Sequence, residues 1–379
     1  MADAGLTDTE TLAAVAAEMP AALSVMRFVH GHPELAHEEH ACSAHIAEAL
    51  AAGGFQVERG VGGMPTAFRA KLVGARPGRT VGMIVLYDAV AAVRPDGSIE
   101  PVHSCGHGPI AGGVTAAALA LAGLKDRLAG RVVVFGCPAD EIHAPGTIAQ
   151  GSGKARSAAA GLWDGIDAAL YVHPEFINTV STRSLWMRRD YLRISGQRSL
   201  KQGVVPAPMA ALRGLAEVVE RMPPDRVILE QMHLEGDVEE GTGLVLNASF
   251  LLFADTEAGV DALARSLRAG FAGASWREGT VLCGVRPDAA VTRAVAAAFR
   301  ASGRDFVEDP PPLPFATDFG NVSQIVPAAL IGVGRPGGWL FHTDDGARQF
   351  AGPDGEAVAR GIAEVMALAA RRLVEPGGG

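Results

Sequence analysis

The sequence predicts an α/β fold: a mainly parallel-sheet domain that carries an inserted, smaller α+β domain. Three observations lead there. At 379 residues the chain exceeds the usual single-domain range, so two domains are expected rather than one. Compact apolar runs of strand length at 80–86 and 131–135 flank an Ala- and Leu-rich helical stretch at 112–124, and strand, helix, strand in that order builds parallel sheet. From about Trp186 the pattern changes to shorter alternating elements, which places the larger domain at 1–185 and 299–379 and the insertion at 186–298.

Taken in order, residues 23–28 lead into His30-Gly31-His32-Pro33-Glu34, and 43–52 reads as an amphipathic helix ended by Gly53-Gly54. After the strand, helix, strand unit, a third apolar run at 168–172 delivers His173 at its end. Loops converge over the carboxyl ends of parallel strands, which is where Cys105 and Glu141 are expected as well. Within the insertion, strands are expected at 191–195, 245–253 and 280–285, and helices at 207–220 and 257–271. Thr317-Asp318-Phe319-Gly320-Asn321 precedes an apolar run at 324–333, and 356–373 carries Ala, Val, Ile, Met and Leu on a helical period suited to covering the main sheet.

Composition narrows the function classes. With 48% hydrophobic and 20% charged residues the chain can build real cores. A formal charge of -9, from 33 Lys plus Arg against 42 Asp plus Glu, gives no support to a nucleic-acid surface. The first twenty residues hold acidic groups and no basic stretch before an apolar run, unlike a signal peptide, so a cytoplasmic location is expected. Apolar segments such as 111–123 are short and rich in Ala and Gly, which fits helix packing better than a membrane span. Cys42, Cys105, Cys137 and Cys283 lack CxxC spacing and are expected as reduced thiols. Of these, Cys105 alone stands beside other ligand-type residues, while Cys42 and Cys137 read as small apolar side chains.

The chemistry lies in scattered sulfur, imidazole and carboxylate groups: His103-Ser104-Cys105-Gly106-His107, Asp140-Glu141, His173 and His342. Such donors at loop positions suit one or two borderline cations and leave room for water. Two cations ~3.5 to 4 Å apart lower the pKa of a shared water and polarise an amide carbonyl. Asp140, beside Glu141, could take the water proton and pass it to the leaving nitrogen. Neighbouring side chains on a regular strand point to opposite faces, so this requires irregular backbone at 140–141. His30, His32, His103 and His143 could orient a ligand or a loop, or be ordinary structural histidines, and stay outside the metal set.

These pieces resemble the M20 metallopeptidase family, in its amidohydrolase and aminoacylase branch. The matching stretches are His30-Gly31-His32-Pro33-Glu34-Leu35, Tyr87-Asp88-Ala89, His103 to His107, Pro138-Ala139-Asp140-Glu141, His173-Pro174-Glu175, Thr317 to Ser323 and His342-Thr343, in the family order. The resemblance implies that Cys105 bridges two divalent ions, Zn or Mn, with His107, Glu141, His173 and His342 completing their shells. It further implies a catalytic domain interrupted by a dimerisation domain, a homodimer, and hydrolysis of amide bonds in small molecules.

Several positions depart from the family pattern. Asp140 stands where Glu is common, and is one methylene shorter. Gly108 replaces an Asp or Asn, and Ala89-Val90-Ala91 replaces Ala-Leu-Pro. Leu200 stands near the place of a histidine that stabilises the oxyanion, a donor whose loss costs about 2.7 to 4 kcal/mol of transition-state stabilisation. No arginine for a substrate carboxylate is evident near Phe253-Ala254-Asp255; Arg198 or Lys201 could take either positive role, or form a solvated basic loop. A metal-dependent amidase is the first expectation. Hydrolytic deamination of an unusual small amine, and a metal-bearing binding protein without turnover, are the alternatives.

Overall fold

The apolar run expected at 80–86 is the centre of a mixed sheet. In the computed structural model, which describes residues 5–197, 207–236, 243–271 and 274–376, the strands fall in two units. The first begins with β1 (Gln56–Arg59), β2 (Phe68–Val73) and β3 (Arg76–Val85), continues through a hairpin of β4 (Val90–Val93) and β5 (Ile99–Val102), and adds β6 (Ala129–Gly136) and β7 (Ala168–Glu175). The second holds β8 (Trp186–Gln197), β9 (Val227–Gly236), β10 (Gly243–Ala254) and β11 (Ser275–Leu282); β12 (Ala328–Gly334) returns to the first.

The main sheet runs β1-β2-β6-β3-β7-β12, with β6, β3, β7 and β12 parallel and β1 and β2 added antiparallel. Residues 80–85 of β3 are buried on both faces, as a strand inside a covered parallel sheet must be. β2 shows the other pattern: Phe68, Ala70 and Leu72 are buried while Arg69, Lys71 and Val73 face outward, the alternation of a half-covered strand near an edge. That polar alternation hid β1 and β2 among the loops of the sequence.

Helix His107–Gly123 is buried over nearly its whole length, and packs against helices Asp8–Gly31 and Pro353–Val374. Its many Ala and Gly residues let the neighbouring backbones approach. Helix Asp8–Gly31 is long and apolar enough by length and composition to cross a membrane, a property the sequence reading gave to no segment. In the fold one side of it is packed, with Val15, Met19, Ala22, Val25, Met26 and Val29 buried, and Thr7 with Glu10 closes its first turn as a capping box. A further helix, Ala289–Ala301, packs on Pro353–Val374.

The second unit is an antiparallel sheet, β11-β8-β10-β9, with helices Ala207–Arg221 and Glu257–Ala269 packed on it. Leu192, Leu215, Val218, Phe250, Leu252, Val260 and Leu267 form its core. The units divide at Ser184 and Gly284, with Pro312–Gly320 joined to the second. The boundary expected at 298 therefore moves back, because Ala289–Ala301 buries its apolar face on the C-terminal helix of the first unit. Of the strand expected at 280–285 only 280–282 belong to β11, which starts at Ser275 and ends at Leu282.

Candidate metal centre

Beyond β3 the chain passes through Tyr87 and Asp88, both fully buried, with the Tyr87 hydroxyl donating to Thr66 O at 2.6 Å. The β4–β5 hairpin follows, and is tied down where Arg94 reaches both carboxylate oxygens of Asp344 at 3.1 Å. The chain then turns at Gly106 into helix His107–Gly123. Gly106 has φ 92°, and a Cβ there would lie 2.7 Å from Pro174 Cγ and 3.0 Å from Phe350 Cε1, so glycine is required on both counts. This turn sets Cys105 and His107 beside each other at the helix N-terminus.

The irregular backbone required at 140–141 is present. After β6, Ala139 takes φ 56°, a left-handed conformation that costs a residue with a Cβ about 1 to 3 kcal/mol. Two buried carboxylates hold the turn: Glu39 Oε1 accepts from Ala139 N at 2.9 Å, and Asp88 Oδ2 accepts from Glu141 N at 2.9 Å. As a result the adjacent acids face one imidazole. Asp140 Oδ2 lies 3.3 Å and Glu141 Oε1 3.7 Å from His107 Nε2.

Both histidines next to Cys105 are oriented through Nδ1. His107 Nδ1 donates to Asp88 O at 2.6 Å and lies 3.0 Å from Asp88 Oδ1; His173 Nδ1 donates to Pro174 O at 2.7 Å. Each hydrogen bond fixes the tautomer that leaves Nε2 as a donor for a cation. His173 Nε2 is 3.6 Å from Cys105 Sγ. From the far end of the chain His342, at φ 60°, donates its backbone N–H to Ser104 O at 2.9 Å and brings Nε2 to 3.3 Å from Cys105 Sγ and 3.9 Å from Glu141 Oε2.

The five expected ligands thus converge as two triads sharing one sulfur. Donor atoms of Cys105, His107 and His173 lie within 4.8 Å of one another, and so do those of Cys105, Glu141 and His342. His107 Nε2 and Glu141 Oε1 are buried without a hydrogen-bond partner, a costly state for polar atoms that a cation at each triad would relieve. Sulfur, imidazole and carboxylate in this arrangement fit a dinuclear centre of divalent ions. His30, His32, His103 and His143 belong to neither triad.

The protons of the metal-free protein follow from burial and charge. Burial disfavours a charged His107, but the Asp88 carboxylate and then Asp140 outweigh it and carry its pKa well above the ordinary value. Burial pushes the Cys105 thiol up, raises Glu141 to about 7 and lowers His173 to about 4. For Asp140 burial acts upward too, yet the buried Lys154 ammonium beside it, with His107, holds the carboxyl well below the usual carboxylate range.

The profile of peptidase family M20/M25/M40 matches residues 87–348. The chain belongs to the M20 peptidase family. One of the subunits of the p-aminobenzoyl-glutamate hydrolase of Escherichia coli is 34% identical over 166 residues, 41% of this chain and 32% of that protein. The chain thus spans about a third of the length of the curated relatives it matches. The dinuclear metal-binding M20 peptidase of Bacillus subtilis superposes with TM-score 0.69 at 17% identity, covering 94% of this chain and 99% of that one. The aminobenzoyl-glutamate utilization protein of Klebsiella pneumoniae gives TM-score 0.69 at 15% identity, over 94% and 97% of the two chains. At such identities these structures share the fold.

Within this M20 member, four residues near the centre escaped the sequence reading of the site. Asp88 was visible only as part of the Tyr-Asp-Ala stretch, and Glu39, Lys154 and Tyr171 carry no local motif. At Gly108 an added Cβ would meet Met26 O at 3.4 Å and His30 Cβ at 3.6 Å, on helix Asp8–Gly31. Arg198, Leu200 and Lys201 lie outside the described residues.

Proposed function

We propose that the protein is a metal-dependent hydrolase that cleaves an amide C–N bond in a small molecule. The observation that carries this reading is the pair of ligand triads sharing Cys105, with Asp140 alongside. Cys105, His107, Glu141, His173 and His342 would hold two divalent ions, Zn or Mn. When bound, such ions polarise a carbonyl oxygen and acidify water.

The chain's own residues supply the rest. Asp88 orients His107, and Pro174 O orients His173, so that neither ring has to reorganise. Asp140 Oδ2 takes a proton from the attacking water and returns it to the leaving nitrogen. The Lys154 ammonium makes Asp140 a weak base and its conjugate acid a strong one. Asp140 is therefore better suited to protonating the leaving nitrogen than to retaining a proton.

A ligand cysteine has to be a thiolate, and Cys42, Cys105, Cys137 and Cys283 are not joined in disulfides, which supports a reducing, cytoplasmic setting. A homodimer through the second unit is supported by β9, an edge strand among the described residues that exposes Ile228, Met232 and Leu234. Neither nucleic acid nor membrane is part of this reading.

Metal analysis and turnover test it. Chelator-treated protein should lose hydrolysis of p-aminobenzoyl-glutamate or of another small amide, and Zn or Mn should restore it. Full activity in verified metal-free protein would reject the reading; two bound ions with no turnover on a broad amide panel would leave a metal-bearing binding protein. Release of ammonia without a matching carboxylic acid would show deamination. Light scattering after size exclusion reports the mass expected of a dimer or a monomer.

A further inference from the structure

Lys154 is fully buried and sets its ammonium against Asp140 Oδ1. It stands in the first turn of helix Gly153–Ala159, the end at which the helix dipole opposes a cation. Burial and dipole both make this an unfavourable place for a lysine, yet the backbone is shaped to put it there. Gly153 N donates to Ala139 O at 3.3 Å, and Gly153 packs so closely on Pro138 O that no Cβ fits. The start of this helix is thereby stitched to the loop that carries Asp140. The Tyr171 hydroxyl donates to the same Oδ1 at 3.4 Å, and the ammonium lies 4.8 Å from the Tyr171 ring centroid.

Resting on the amide-hydrolase reading, we propose that Lys154 is a positioning residue: by gripping Oδ1 together with Tyr171 it fixes the Asp140 side chain so that Oδ2 alone meets the water and the leaving nitrogen. Oδ2 already lies on the His107 side, 3.3 Å from Nε2. An aspartate has a short reach, and rotation about its side-chain bonds would carry Oδ2 out of hydrogen-bond range. A charged donor on the opposite oxygen removes that freedom and leaves the working oxygen unobstructed.

The test compares Lys154→Met, Lys154→Arg, Asp140→Asn and the Asp140→Asn/Lys154→Met double variant in Mn-loaded protein of measured metal content. Turnover is read with p-aminobenzoyl-glutamate and an Xaa-Arg dipeptide, and binding with acetohydroxamate, which chelates a metal ion and can donate a hydrogen bond to a neighbouring carboxylate. Lys154→Met should keep both ions and its KM, lose kcat by roughly 100-fold, and bind acetohydroxamate roughly 10-fold more weakly. Lys154→Arg should recover part of both losses. The double variant should be no slower than Asp140→Asn, because the two residues act as a unit.

A merely structural ion pair predicts a different result: lower unfolding temperature with kcat and hydroxamate affinity unchanged per metal-loaded molecule, and that outcome overturns the proposal. If Lys154→Met does not fold, the double variant avoids an unpaired buried charge, and Lys154→Arg with wild-type or better kcat and hydroxamate affinity would show that the lysine geometry is not needed. Wild-type protein that binds the hydroxamate but turns over no amide removes the function reading and leaves the binding comparison to decide Lys154. A metal-loaded wild type that binds no hydroxamate removes both.

Discussion

The Asp88 carboxylate faces the His107 imidazole at 3.0 Å with both side chains buried, and its other oxygen accepts from Glu141 N at 2.9 Å. One carboxylate thereby orients a ligand from each triad. Replacement of Asp88 by Ala should weaken metal affinity by roughly 10- to 100-fold while leaving the five donor groups in place. Competition against a calibrated chelator measures it, and an affinity within about twofold of wild type would show that the Asp88 backbone carbonyl and the helix turn orient His107 without the carboxylate.

Metal uptake should release protons. At pH 7 the metal-free protein holds a proton on Cys105 and an extra one on His107, because both pKa values are raised, whereas His173 at about 4 is already neutral. Glu141 at about 7 is partly protonated. Ligation requires a thiolate, a neutral imidazole and a carboxylate, so roughly two protons or more should leave per chain and affinity should rise with pH from 6 to 8. Calorimetry in buffers of different ionisation enthalpy counts them; no proton release would contradict these directions.

Glu39 gives a pH dependence of stability outside the ligand set. Burial raises its pKa to about 7 from 4.5. Below pH 4.5 both folded and unfolded forms hold the proton and no penalty exists; between about 4.5 and 7 the unfolded form ionises first and folded stability falls; above 7 the loss is complete. Glu39→Gln in metal-free protein should flatten this fall, which amounts to a few kcal/mol at most. Denaturant titrations at pH 5 and pH 8 check it, and equal slopes for both proteins would sink the assignment.

Gly106→Ala combines two penalties. The left-handed φ and the clash with Pro174 and Phe350 should together cost about 2 to 4 kcal/mol and pull Cys105 and His107 apart. A lower unfolding temperature together with lost metal content is the expected pair of results. Full metal occupancy in a destabilised variant would mean that the turn serves stability alone.

The sequence carried the centre better than its surroundings. Cys105, His107, Glu141, His173 and His342 are rare residue types in short distinctive stretches, so their convergence was legible before any coordinates. Lys154 was not, because a lone lysine after Ser152-Gly153 looks like a solvated surface group until the fold closes over it. Buried strands β3, β6 and β7 stood out as apolar runs, while β1, β2 and β9 alternate or mix in charged residues and read as loops. Helix Asp8–Gly31 passed unnoticed because Ala fills its face and Pro20 lies inside it.

The tie between His342 and Ser104 joins two stretches of the chain that the ribosome makes far apart in time. Cys105, His107 and His173 have all emerged before the second unit begins, whereas His342 follows only after that unit has been made. A nascent chain therefore carries the donors of one triad long before those of both, and a second ion could be seated only after His342 has emerged.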